Sequence, residues 1–254
     1  MKNVEDVYPL TPVQEGMLFH TLSAPDSGIY LTQISFQLEG TLEPETFERA
    51  WRDTVAAHPA LRTAFLWEGL ETPLQVVRET VDLSFRFTEN ATQHAIETFL
   101  KEDRKSDFTL EKAPLVRLHL FQLKPDCHRL IWSFHHLVSD GWSTPLILTE
   151  IFQRYDGHSP SEPAPAYRNF IDWRQEQDTA GQEAFWRNEL EGFTQPLTCP
   201  QQPSLSAGLT HENIEGSWRV VQIGRQDQAR LACAWPSSIS LPDGRAELSP
   251  PTLS

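Results

Sequence analysis

The sequence predicts an α/β fold, a two-layer sandwich in which helices pack on a mixed sheet. Segments that alternate apolar and polar residues, as half-buried strands do, are interleaved with segments whose apolar residues recur at helical spacing. Proline and glycine stand at the ends of these segments, where they punctuate elements. With 254 residues the chain has length for one substantial core and part of a second.

Each element has its own signal. Ile34, Phe36 and Leu38 alternate with Gln33, Ser35 and Gln37 in a strand ended by Gly40. Pro44 opens a helix whose face is Phe47, Ala50, Trp51, Thr54, Val55 and His58, and Pro59 stops it. Arg62 to Trp67 and Leu74 to Val77 read as strands separated by Gly69 and Pro73. Ile96, Phe99 and Leu100 mark an amphipathic helix. Val116, Leu118 and Leu120 alternate along the first arm of a hairpin turned at Lys124-Pro125-Asp126. The second arm is an apolar strand, Leu130 to Phe134, and Ser143 to Tyr155 has helical spacing through Leu148, Ile151, Phe152 and Tyr155. Trp51 and Trp132 are expected in the core.

Between that strand and helix lies Phe134-His135-His136-Leu137-Val138-Ser139-Asp140-Gly141-Trp142-Ser143. A histidine in such a turn can exchange a proton near neutral pH, an aspartate can hold a ring or a cation, and a glycine allows close backbone approach. A packed, hydrogen-bonded histidine is the plainer alternative. So is a metal site, since His136 and Asp140 are four apart. Against a metal, Gly141 implies an irregular turn, and no second His or Cys cluster supplies the remaining ligands.

His135 to Gly141 resembles the His-His-x-x-x-Asp-Gly signature of nonribosomal peptide synthetase condensation domains, which are similar in fold to chloramphenicol acetyltransferase. Other blocks follow in the family's order. Tyr8 to His20 resembles its opening motif and His58 to Phe65 its Leu-Arg-Thr-x-Phe block. Asp107-Phe108-Thr109-Leu110 and Pro114-Leu115-Val116-Arg117 resemble the segment leading into the hairpin, and Tyr167 to Phe193 the helical stretch after the histidines.

The resemblance implies an acyltransferase that joins a carrier-bound acyl thioester donor to a carrier-bound amine acceptor. His136 matches the catalytic position, His135 a residue that fixes the turn, and Gly141 a backbone amide facing the reacting carbonyl. Asp140 is expected to pair with Arg62 and so support the site's shape. The expected partners are upstream and downstream peptidyl carrier proteins. No intrinsic cofactor or metal is expected, because phosphopantetheine belongs to the carriers and the thioester is already activated. His135 disfavours the heterocyclising branch, whose first histidine is replaced by Asp, and Trp142-Ser143 disfavours the epimerising branch. Pro9 to Gln14 resembles the branch that accepts a donor ending in a D-residue, and His20 stands alone where dual epimerising members carry paired histidines. Coenzyme-A-dependent acyltransferases, which share a His-x-x-x-Asp core, are the alternative enzyme class.

Family members comprise two similar lobes and are about twice this long. Residues 1–198 are expected to form the N-terminal lobe. From Cys199 the pattern dissolves into Pro, Ser, Gln and Gly, so 199–254 is expected to be an irregular or disordered tail. The family's Asp-Phe-Gly latch segment has no counterpart in this chain. The expectation is therefore a truncated domain, and a non-catalytic remnant or docking module, working with a separate C-terminal lobe, is the alternative in a different class.

A formal charge of −14 argues against nucleic acid and anionic membranes as partners. Cys127, Cys199 and Cys233 are odd in number and scattered, which suggests neither a disulfide framework nor a zinc motif. With no apolar signal core at the N-terminus and no stretch long enough to span a bilayer, the expected location is cytoplasmic.

Overall fold

The computed structural model describes residues 3–158, 160 and 164–194, with the backbone of 218–219. The chain runs β1 (Asp6–Pro9), α1 (Pro12–Ser23), β2 (Leu31–Glu39), α2 (Pro44–Ala57), β3 (Thr63–Leu66), β4 (Leu74–Val77) and β5 (Ser84–Thr88). It continues through α3 (Gln93–Arg104), β6 (Val116–Lys124), β7 (Cys127–His135), α4 (Ser143–Tyr155), α5 (Tyr167–Gln175), α6 (Thr179–Glu189) and β8 (Trp218–Arg219). A short 3-10 turn, Pro59–Arg62, joins α2 to β3.

The larger sheet has five strands in the order β5-β6-β7-β2-β8. Its two outer pairings, β5 with β6 and β2 with β8, are parallel, while the inner pairings are antiparallel, so the sheet is mixed as expected. β2 and β7 pair without interruption from Leu31 opposite His135 to Glu39 opposite Cys127. A three-stranded antiparallel sheet, β1-β4-β3, stands beside it.

Alternation along the strands decides which face meets which helices. Phe36, Leu38, Leu118, Leu120, Leu130, Trp132 and Phe134 form one core with Phe47, Trp51 and Val55 of α2 and Ile147, Leu148, Ile151 and Phe152 of α4. Both tryptophans are fully buried, and their rings meet edge to face at 5.1 Å, a favoured aromatic geometry. The hydroxyl of Tyr155, at the end of α4, accepts the Glu43 N–H at 2.9 Å. That bond satisfies a donor at the start of α2, which has no side-chain cap of its own.

The opposite face is partly covered by α3, where Ile96, Phe121 and Ile131 form a smaller core. Polar residues on this face are also buried. Asp103 of α3 accepts from Arg117 Nε at 2.5 Å, Gln33 Nε2 at 2.6 Å and Ser133 Oγ at 2.5 Å. Three strands and a helix are therefore fastened at one carboxylate.

The tail expected from residue 199 lies outside the described residues, apart from β8, which no periodicity foreshadowed. Cys199 and Cys233 also lie outside them, while Cys127, at the start of β7, is in no disulfide among the described residues. Among the described residues no helix is long and apolar enough to cross a membrane.

Candidate active site

The histidines leave the sheet where β7 ends, in a turn held by main-chain bonds. His135 N–H donates to Leu115 O at 3.0 Å, His136 N–H to Tyr30 O at 2.8 Å and Val138 N–H to His135 O at 3.1 Å. Backbone partners on both sides thus fix the two residues before their side chains are considered.

His135 is buried, at 3 % exposure. Its Nδ1 accepts the Leu137 N–H at 3.2 Å, which leaves the ring proton on Nε2, 3.4 Å from Thr21 Oγ1. Thr21 Oγ1 in turn donates to Met17 O at 2.9 Å. Burial, with a smaller contribution from neighbouring His136, pushes the His135 pKa down to about 4. The ring is thus a neutral structural bridge between the turn and α1.

His136 is only half-buried and carries the opposite tautomer. Its Nδ1 lies 2.8 Å from Ser139 O, and because a carbonyl can only accept, Nδ1 bears the proton. Nε2 then presents a lone pair with no hydrogen-bond partner among the described residues. A ring oriented through one nitrogen with the other free can accept a proton or hold an amine.

Asp140 does not pair with Arg62, contrary to expectation. Its carboxylate accepts from Ser143 N at 2.7 Å and Ser143 Oγ at 2.6 Å, and its carbonyl receives Thr144 N–H at 3.2 Å, so it caps the start of α4. Burial raises its pKa, but the Ser143 and Trp142 hydrogen bonds and nearby His136 outweigh this and hold it below the ordinary value. Arg62 is buried elsewhere. Its guanidinium donates to Glu5 Oε2 at 2.6 Å and to the carbonyl of Arg78, bracing the chain next to β1 and β4. Arg62 therefore supports the three-stranded sheet, and the turn's shape comes from bonds within it and from Leu115, Tyr30 and Gln14.

Gly141 has no heavy atom within 4 Å of where a Cβ would stand, so among the described residues nothing crowds it. Its N–H makes no hydrogen bond among those residues. Beside it Trp142 is 86 % exposed. Exposed apolar side chains continue with Leu146 on α4 and with Val13 and Phe19 on α1, the helices flanking the turn.

Two buried amides tie the opening block to this turn. Thr11 and Gln14 form a reciprocal capping box at the start of α1. Gln14 Nε2 reaches Leu137 O at 3.1 Å and Gln75 Oε1 at 3.0 Å, while Gln75 Nε2 donates to Pro9 O at 3.1 Å. The Thr-x-x-Gln spacing after a loop is a readable cap signal, but the long-range contacts of Gln14, Gln75 and Tyr30 leave no local trace in sequence. Among the described residues no group of three or more His, Cys, Asp or Glu could hold a metal.

His119, whose pKa is lowered to about 4 by burial and by Arg86, joins His135 as a buried neutral imidazole. The unfolded chain protonates both near 6.5, so between pH 6.5 and 4 it binds more protons than the folded chain. Stability is fully present above that window and falls as the pH drops through it, by roughly 3 kcal/mol per imidazole at the lower end. Urea unfolding at pH 7.5 and 4.5 should show the loss, and His119→Gln should reduce it. An equal pH dependence in that variant would contradict the assignment to His119.

The condensation domain family matches residues 4–232. The chain is 37% identical over 224 residues to a linear gramicidin synthase subunit of Brevibacillus parabrevis, a match covering 84% of this chain and 4% of that protein. It is 34% identical over 235 residues to bacitracin synthase 1 of Bacillus licheniformis, covering 88% of this chain and 4% of that one. Among solved structures, the starter condensation domain of rhizomide synthetase RzmA superposes with a TM-score of 0.68 at 22% identity, over 76% of this chain and 50% of that one. The condensation domain from Monacolin K polyketide synthase MokA gives 0.69 at 22%, over 78% and 46%. These two likenesses show the fold. The chain belongs to the condensation domain family of nonribosomal peptide synthetases. It spans about half the length of the solved domains it matches and about 4% of these two synthases.

Proposed function

We propose that the chain catalyses amide-bond formation between two carrier-bound substrates. The reaction begins when the nitrogen of the acceptor's amine attacks the donor's thioester carbonyl. The tetrahedral species then collapses, the C–S bond breaks, and the donor phosphopantetheine leaves as a thiol that takes up the proton lost by the amine. The phosphopantetheine arms belong to upstream and downstream carrier proteins, and the chain needs no cofactor of its own.

One observation supports this reading above the others: His136 donates from Nδ1 to Ser139 O and leaves Nε2 as an acceptor. An α-amine has a pKa of roughly 8. A neutral imidazole can therefore orient the uncharged amine and accept its proton as the C–N bond forms. The Gly141 N–H, uncrowded and without a partner among the described residues, is suited to donate to the oxyanion that develops on the carbonyl. Asp140 supports the turn through Ser143, and His135 supports it from beneath.

The test is a product assay with the full chain, a donor carrier loaded with an aminoacyl group and a loaded acceptor carrier. Dipeptide appearing on the acceptor carrier is the expected result. A soluble, folded chain that forms none would favour the non-catalytic module that works only with a separate lobe.

A further inference from the structure

Tyr30 is the residue before β2, and its backbone lies in the left-handed region at φ 63°. A bulky aromatic side chain rarely adopts that conformation, and it persists only where surrounding contacts over-determine it. The contacts here converge on the site. The Tyr30 carbonyl accepts the His136 N–H at 2.8 Å, one step beyond the β2–β7 register that ends with Leu31 opposite His135. Its hydroxyl lies 2.9 Å from Nδ1 of His20, and the two rings stack within 5° of parallel. Its ring also packs against His135, with centroids 6.3 Å apart. His20 is followed on α1 by Thr21, which meets His135 Nε2 from the same helix turn.

The main chain of Tyr30 thus holds the residue that presents the free imidazole nitrogen, while its side chain is held by α1. We propose that Tyr30 is a positioning residue for His136, with the Tyr30–His20 contact as the anchor that keeps the left-handed backbone, and so the carbonyl, in place. The proposal rests on the condensation reading for its effect on turnover but not for its effect on the ring of His136.

The experiment uses the full chain and two variants. Tyr30→Gly accepts the same φ without a Cβ clash and removes the anchor. Tyr30→Phe keeps the ring and removes only the hydroxyl. Nitrogen-15 shifts of the His136 ring report its tautomer, and amide exchange reports the N–H bonded to Tyr30. Circular dichroism reports the fold. The unmutated chain should show one tautomer, with the proton on Nδ1, and a protected amide. Tyr30→Gly should retain the fold yet lose both features, and Tyr30→Phe should move both in the same direction by less. In the full chain, Tyr30→Gly should lower turnover by up to about 100-fold with KM for the acceptor unchanged, as misplacement of a reacting group does.

Unchanged tautomer and exchange in both variants would overturn the proposal. So would global unfolding of both, which would make Tyr30 a residue of the fold, or a loss of turnover with the His136 ring undisturbed. A disturbed ring with unchanged turnover would uphold the positioning role and reject His136 as the catalytic group.

Discussion

His136→Ala is expected to reduce amide formation by the chain by roughly 10²- to 10⁴-fold, the usual range for losing a positioned acid–base group. The fold should survive, because His136 is half-buried and its side chain makes a single hydrogen bond among the described residues, to Ser139 O. Such a bond contributes about 0.5–1.5 kcal/mol. The neighbouring histidine should behave in the reverse way. His135→Ala removes a buried ring that bridges Leu137 and Thr21, so its first effect is on the melting temperature. Single-turnover amide formation and thermal melts on both variants separate the roles. Undiminished product from a folded His136→Ala domain would remove the histidine from the chemistry.

Asp103→Ala is expected to destabilise the chain by about 3–5 kcal/mol, the cost of leaving one member of a buried ion pair unpaired. Asp103 and Arg117 are 2.5 Å apart, with 5% and 19% of their side chains exposed. Arg117 would keep its bonds to the carbonyls of Asp103 and Ser106 and its position over the Phe108 ring, but not its counter-charge. Ser133 Oγ and Gln33 Nε2 would each lose an acceptor as well. Replacing both charges, as in Asp103→Leu with Arg117→Met, should recover most of the loss, because a buried pair is often no better than apolar residues of similar volume. Urea midpoints of the single and double variants test this. A double variant no more stable than Asp103→Ala would show that the pair is not the source of the effect. Ser133 lies two residues before His135, so the same change should also loosen the strand that delivers the histidines.

How far the sequence foretold this arrangement depended on whether a signal was local. β2 and α2 each bury one face, and their alternation or helical spacing is plain, whereas the central strands β6 and β7 bury both faces over Leu118–Phe121 and Leu130–His135 and read as mainly apolar runs. α1 buries only Gln14 and Leu18, so apolar spacing cannot announce it. β5 has no buried residue and, among the described residues, pairs only with β6, which leaves a weak pattern. Gln33 reads as a solvent-side residue by alternation, yet α3 covers that face and Gln33 binds Asp103. At the site, the motif located His135, His136, Asp140 and Gly141 in one turn. Resemblance assigned Asp140 to Arg62, whereas the α4 cap gives the carboxylate two nearer donors on Ser143. Gln75 and Tyr30 become visible only when strands distant in sequence come together.

The unbroken pairing of β2 with β7 also sets where the chain can change length. Side chains alternate between faces, so one inserted residue within Leu31–Glu39 would send Gln33, Ser35 and Gln37 into the aromatic core and turn Phe36 and Leu38 outward. Near the far end of the neighbouring hairpin, the β6–β7 register already shifts between Gln122 and Lys124, beside the Lys124-Pro125-Asp126 turn and remote from the histidines. Insertions and deletions should be tolerated at that turn and rejected along the strands. A library of single-residue insertions selected for solubility would map that boundary directly.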